Sequence, residues 1–146
     1  MIVFKKIKYK NFLSTGNTPI EIDLNKSHTT LIVGSNGSGK STLLDALCWA
    51  LFNKPFRIIK KEQMINTINQ ADCEVELDFE VGTKQYKVRR GVRPNFFEIY
   101  RDGVLINQEA NNIDYQKYLE KNIMSKKRTF LHFLEKQNQI IFLLIL

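Results

Sequence analysis

Residues 34 to 41 read Gly-Ser-Asn-Gly-Ser-Gly-Lys-Ser, and side chains of these types at this spacing can hold phosphate. The three glycines allow positive φ angles and a close approach of the backbone, whose N–H groups then form a nest for anionic oxygens. Lys40 would bridge the β- and γ-phosphates, and the Ser41 hydroxyl would ligate Mg²⁺. The complete pattern predicts a loop for a nucleotide and its Mg²⁺.

Such a loop needs a buried strand before it and a helix after it. Residues 29–33 form a short β-branched, apolar run, and residues 40–52 contain neither Gly nor Pro and carry several Leu and Ala. The predicted helix would aim its N-terminal dipole at the phosphates. The alternative is an ordinary Gly-rich turn that binds nothing.

Composition restricts the class of protein. The 146 residues are 43% hydrophobic, which fits one globular domain and excludes a disordered chain, and the formal net charge of +7 is compatible with a polyanionic partner. Cys48 and Cys73 have neither metal-site nor disulfide-framework spacing. We expect no cleavable leader, and no apolar span in this sequence reaches about 18 residues. We therefore expect a cytoplasmic protein.

The hydrophobic pattern predicts an α/β fold in which two extra strands precede the strand that leads into the loop, and a β-rich stretch follows the loop's helix. Residues 73–81 alternate strictly between apolar and acidic side chains, and Asp102-Gly103 is a strong hairpin signal. The predicted strands are residues 3–9, 19–24, 29–33, 73–81, 86–90, 96–100 and 104–106. A last helix is predicted over residues 112–124, with Ile113, Tyr118, Leu119 and Ile123 inward.

This order resembles the N-terminal half of the ABC-type ATPase head in the SMC-like family of DNA-repair ATPases. Within it, the chain is most similar to the SbcC-type double-strand-break-repair ATPases and the recombination-endonuclease subunits of large tailed phages. Asn53 stands where the family has Gly. The segments that carry the resemblance are residues 8–14, 34–41, 42–47, 51–57 and 90–99.

The resemblance implies a P-loop NTPase lobe, with a mixed sheet around the phosphate-loop helix and an antiparallel β meander. It also implies ATP and Mg²⁺ as ligands, dimerisation around nucleotide, and work with a nuclease subunit on DNA ends. Lys10 matches a basic position near the phosphates, although a lysine on the solvated face of an edge strand is the alternative. By motif, the phosphates would be held by Asn36, Gly37, Ser38, Gly39, Lys40, Ser41 and Thr42.

Hydrolysis by such a head requires parts that this sequence lacks. There is no apolar strand ending in Asp-Glu, no Ser-Gly-Gly signature and no sustained heptad pattern. We therefore expect residues 1–124 to be half of a head, incomplete for hydrolysis alone, whose other half acts in trans or belongs to a longer product. Residues 125–146 are expected to be a divergent tail, frameshifted or truncated, unless the chain is a genuine short product or one half of a split gene.

Two other functions stay open on the sequence. One is a self-contained nucleotide or nucleoside kinase, although a kinase usually places its phosphate loop after the first strand. The other is a remnant without function.

A second open question concerns Arg89, Arg90 and Arg93. They either contact a nucleic-acid backbone or offset the carboxylates of residues 74–80 across the sheet, and we favour the second.

Overall fold

The computed structural model describes residues 2–24, 40–55, 57–106 and 112–123. The predicted strand 29–33, the loop residues 34–39 and the tail lie outside the described residues. The helices are α1 (Lys40–Phe52), a 3-10 turn (Lys61–Met64) and α2 (Asn112–Tyr118), which continues as a π-helical turn over Leu119–Ile123. The strands are β1 (Ile2–Lys10), β2 (Ile20–Asp23), β3 (Cys73–Val81), β4 (Lys84–Val92), β5 (Phe96–Arg101) and β6 (Val104–Leu105).

The described strands form one six-stranded antiparallel sheet in the order β2-β1-β3-β4-β5-β6. The predicted bounds of β3 are confirmed at both ends, and those of the other five described strands within two residues. The turn between β5 and β6 has Asp102 at φ 50° and Gly103 at φ 82°, as a tight Asp-Gly hairpin requires.

Strand β1 departs from a regular alternation. Phe4 and Ile7 are an odd number of positions apart and would face opposite sides of a regular strand. Both are buried, because the register against β3 shifts between Phe4 and Lys6. This bulge returns the apolar side chains to one face.

The sheet has one apolar face and one charged face. In β3 the side chains of Val75, Leu77 and Phe79 are fully buried, whereas the acidic residues between them are only half-buried. Helix α1 packs against the apolar face. This half-and-half burial is what the strict alternation of β3 predicts.

Helix α1 is buried on nearly every side, because all residues from Thr42 to Phe52 are shielded from solvent. Trp49 stacks on Phe12 with ring centroids 5.6 Å apart. At the end of the helix, Asn53 adopts φ 59° and its N–H donates to the carbonyl of Trp49 at 3.0 Å. Asparagine tolerates this left-handed conformation, so the replacement of the expected Gly keeps the helix end.

Helix α2 is confirmed in its position and partly in its inward face. Leu119 is buried and Tyr118 is half-buried, as predicted, whereas the side chains of Ile113 and Ile123 lie outside the described residues. Tyr115, which was not predicted, is buried and donates to the carbonyl of Ile106 at 2.8 Å. Within the described ranges, no helix combines the length and the apolar character needed to cross a membrane.

Candidate nucleotide-binding site

The candidate site begins where the phosphate loop enters α1. Lys40 is the first residue of the helix and Ser41 the second, as the motif requires, while their side chains lie outside what the structure describes. Thr42, the next residue, is described and is 5% exposed. The loop sequence therefore leads directly into the positive end of a helix that is anchored in the core. The loop glycines, Asn36 and Ser38 belong to the segment outside the described residues.

Lys10, the other predicted site residue, ends β1 and is half-buried opposite Glu74 of β3. It borders a small cavity of about 250 Å³ whose wall also includes Tyr9, Pro19 and Arg89. The described residues do not link Lys10 to the start of α1, so its role at the phosphates stays a prediction.

An asparagine cluster, formed by Asn11, Asn17, Asn66 and Asn69, fixes the chain immediately after Lys10. Asn11 is fully buried at φ 48°, and its backbone carbonyl accepts a hydrogen bond from Asn66 N at 2.8 Å. Its side-chain oxygen accepts from Asn69 Nδ2 at 2.8 Å, and its Nδ2 donates to Asn17 Oδ1 at 2.7 Å. The cluster ties the end of β1 to the segment that precedes β3.

A buried carboxylate lies one helical turn beyond Ser41, and sequence reasoning missed it. Asp45 is 0% exposed and accepts hydrogen bonds from Arg57: the backbone N donates to Oδ1 at 2.8 Å, and Nε donates to Oδ2 at 2.6 Å. Nη2 of Arg57 also lies 2.6 Å from Oδ2. The signal was available, because Asp45 is the only charged residue between Ser41 and Phe52 in an otherwise apolar helix.

Arg90 does not offset the acidic face of β3, so the expectation that all three arginines do so is wrong for this residue. Its side chain points to the opposite, apolar face and is 4% exposed, with its guanidinium 3.6 Å from the centroid of the Phe97 ring. Burial lowers the pKa of Arg90 to about 9, with Glu120 acting in the opposite direction, so the side chain is a cation at neutral pH. Successive strand residues face opposite sides, which is why Arg89 and Arg90 cannot share one role.

Arg89 pairs with carboxylates across the sheet, which is the alternative that the sequence analysis favoured. It lies on the charged face, where its Nε donates to Glu74 Oε1 at 3.0 Å and its Nη1 donates to Glu98 Oε1 at 3.1 Å. Arg93 is exposed in the turn between β4 and β5, and its Nη1 is 3.4 Å from the carbonyl of Gln70. The hypothesis of charge compensation is thus confirmed for Arg89 and is wrong for Arg90 and Arg93.

The described residues offer no competing metal centre, since no group of three His, Cys, Asp or Glu among them could hold a metal ion. Burial raises the pKa of the Cys73 thiol to about 12. This thiol therefore stays protonated at neutral pH and is a poor metal ligand. Ser41, whose hydroxyl is a hard oxygen of the kind that Mg²⁺ prefers, stays the predicted Mg²⁺ ligand.

Comparison with known proteins agrees with the resemblance seen in the sequence. A family model described as an AAA domain matches residues 6–146. Exonuclease subunit 2 of Escherichia phage RB69 is 46% identical over 118 residues, which are 81% of this chain and 21% of that protein. The DNA double-strand break repair Rad50 ATPase of Thermoplasma volcanium is 34% identical over 130 residues, or 85% of this chain and 14% of that protein. The chain thus spans about a fifth or less of the curated relatives that it matches.

Solved structures show the same fold. A chain from a study of ATP-driven dimerization and DNA-stimulated activation of SMC ATPases superposes with a TM-score of 0.62 at 22% identity, covering 84% of this chain and 78% of that one. The Smc head domain of Pyrococcus furiosus, bound to the C-terminal domain of ScpA, gives a TM-score of 0.60 at 22% identity and covers 86% and 33%. The antiparallel sheet with α1 therefore has the fold of part of an SMC-like ATPase head.

Proposed function

This chain belongs to the AAA-domain family and is homologous to part of phage exonuclease subunit 2 and of the Rad50 ATPases; from this premise we propose that it binds ATP with Mg²⁺ as the N-terminal part of the ATPase head of a DNA repair and recombination complex. The observation that carries the proposal is the full phosphate-loop sequence, Gly34 to Ser41, which leads into α1 at Lys40.

In this proposal the residues of the loop divide the work on the nucleotide. The backbone N–H groups from Asn36 to Gly39 surround the phosphates, and Lys40 contributes a positive charge between the β- and γ-phosphates. Ser41 supplies an oxygen ligand to Mg²⁺, which neutralises phosphate charge when bound. Thr42 extends the phosphate contacts into the first turn of α1. Lys10 adds a second positive charge near the phosphates.

The proposed role does not include hydrolysis by these residues alone. Residues 1–124 form half of a head, residues 125–146 form a divergent tail, and the acidic strand and the signature come from the other half, in trans or in a longer product. The proposed partners are a nuclease subunit and DNA, which is bound without sequence specificity. The proposed location is the cytoplasm, of the host cell if a phage encodes the protein.

Equilibrium binding of ATP in the presence of Mg²⁺ tests the proposal. The wild-type chain should bind, and Lys40→Ala should weaken the affinity by about tenfold or more, because a hydrogen bond to a charged group contributes roughly 1.5–3 kcal/mol. Lys54→Ala, which removes an exposed lysine just beyond α1, is the matched control and should bind as the wild type does. Equal affinity in all three proteins, or no binding by the folded wild type, would exclude the proposed function.

A further inference from the structure

Arg90 occupies a position where the sheet otherwise buries apolar side chains. In register it lies between Val75 of β3 and Phe97 of β5, and both neighbours are buried. Removing a guanidinium from water is costly unless its donors are satisfied. The contacts that satisfy it therefore indicate what the residue does.

Those contacts lie at the C-terminal end of α1. Nε of Arg90 donates to the carbonyl of Ala50 at 3.1 Å, and Nη2 donates to Oε1 of Gln116 on α2. Gln116 in turn donates from Nε2 to the carbonyl of Leu51 at 2.8 Å. The last four carbonyls of a helix have no partner within it, and a cation is favourable at this end of the helix dipole. Arg90 and Gln116 thus cap α1 with side chains from β4 and α2, and we call this pair the helix clamp.

The other end of the same helix carries Lys40 and Ser41. A helix of 13 residues is a rod about 20 Å long, so holding one end fixes the direction of the other. We propose that Arg90 and Gln116 are positioning residues for nucleotide binding, and that the helix clamp couples the nucleotide site to α2. The inference rests on the proposed function, because it concerns the same site.

Coupling of this kind is reciprocal. If the clamp strengthens ATP binding, then bound ATP must stabilise the clamp by the same free energy. Helix α2 should therefore become better protected when ATP binds, although it holds none of the proposed nucleotide-binding residues. A cap that only stabilises the fold would not slow the exchange of those α2 amides that exchange by local opening of the helix, whereas amides that exchange by global unfolding slow with any bound ligand.

The test combines ATP affinity with amide hydrogen exchange of residues 112–123, with and without ATP and Mg²⁺, in the 146-residue chain. Gln116→Leu removes both the acceptor for Arg90 and the donor to Leu51 at similar size. Arg90→Lys keeps the charge but cannot supply two donors in a fixed fork. Lys117→Ala, at the exposed neighbour of Gln116, is the matched control. Circular dichroism and a thermal unfolding curve verify that each variant is folded at the temperature used.

We expect ATP to slow amide exchange in α2 of the wild type and of Lys117→Ala. In Gln116→Leu, ATP should no longer slow this exchange. The affinity of Gln116→Leu should fall about fivefold or more, with a smaller fall for Arg90→Lys. Unchanged affinity and unchanged ATP-dependent protection in both clamp variants would overturn the inference while leaving ATP binding intact. Failure of the wild type to bind ATP would instead refute the proposed function, and the coupling with it.

Discussion

Asp45 and Arg57 form an ion pair whose two members differ in exposure: the carboxylate is fully buried, whereas the Arg57 side chain is 50% exposed. Removing Arg57 therefore has a different consequence from removing Asp45. Without Arg57 the carboxylate stays in the core without its cation, but without Asp45 the guanidinium can turn to water.

We therefore predict that Arg57→Ala destabilises the fold more than Asp45→Ala does. The expected loss in the free energy of unfolding is about 2–3 kcal/mol for Arg57→Ala and about half of that for Asp45→Ala, below the range for a fully buried pair because Arg57 is half in solvent. Urea denaturation measures both. Lys60→Ala, an exchange at another exposed cation in the same segment, is the control, and equal losses in the two pair variants would contradict the prediction.

Gly91 has no room for a side chain. A Cβ at this position would overlap the ring of Phe96, its cross-strand neighbour on β5. Gly91→Ala should lower the free energy of unfolding by about 1–3 kcal/mol, since the ring must move. Gly16→Ala is the control because its Cβ would meet only an ordinary contact at 3.9 Å. In the Gly91→Ala/Phe96→Ala double variant the two losses should not add, and simple additivity would argue against the overlap.

The asparagine cluster depends on Asn11 more than on its exposed members. Asn11→Ala removes the oxygen that accepts from the side-chain amide of Asn69. It also places alanine, which tolerates the left-handed conformation less well than asparagine, at φ 48°. The expected loss is about 2–3 kcal/mol, compared with less than about 1 kcal/mol for Asn17→Ala, whose side chain is exposed. Thermal unfolding of the two variants compares them. A larger effect at Asn17 would refute the ranking.

Asp78 gives a pH dependence with a definite sign. Burial raises its pKa above the ordinary 3.8, and the repulsion from Glu76 adds to this, while Lys87, 3.8 Å away, opposes it. A carboxyl of raised folded-state pKa binds its proton more tightly in the folded chain. Its contribution to stability is therefore fully present below the unfolded pKa and is lost as the pH rises through the folded pKa.

Asp78→Asn should accordingly raise the free energy of unfolding at neutral pH, by at most about 0.5 kcal/mol because the side chain is partly exposed. It should also flatten the decline in stability as the pH rises from about 4. Glu62→Gln, which removes one negative charge at an exposed position, serves as the control. Destabilisation by Asp78→Asn at neutral pH would show that its ion pair with Lys87 outweighs burial.

The local pattern predicted the strands and helices in the described part of the chain with few errors in their bounds. The strict alternation of residues 73–81 predicted β3 at both ends, because each side chain of a half-buried strand meets either the core or the solvent. The Asp102-Gly103 pair predicted its hairpin, since few other residue pairs tolerate two positive φ angles. The phosphate-loop motif and helix α1 were predicted together, because this motif can bind phosphate only when a helix begins at its end.

Tertiary packing decided the features that involve distant parts of the chain. The sequence places Arg90 beside Arg89 and Arg93 in one basic segment, but only the sheet turns it toward α1 and Gln116. The partners of Asp45 and Asn11 lie 12 and 58 positions away along the chain, at Arg57 and Asn69. Many different groups can form hydrogen bonds with a charged or amide side chain. The residue type therefore indicates that a buried side chain needs a partner, but it does not indicate which residue that partner is.

By itself, therefore, the sequence determined the phosphate-loop motif, the pattern of the described strands and the family, because each depends on neighbouring residues and short periods. The tertiary structure alone decided which buried polar groups hold the loop's helix in place, because these contacts arise only when β4, α1 and α2 meet in the core.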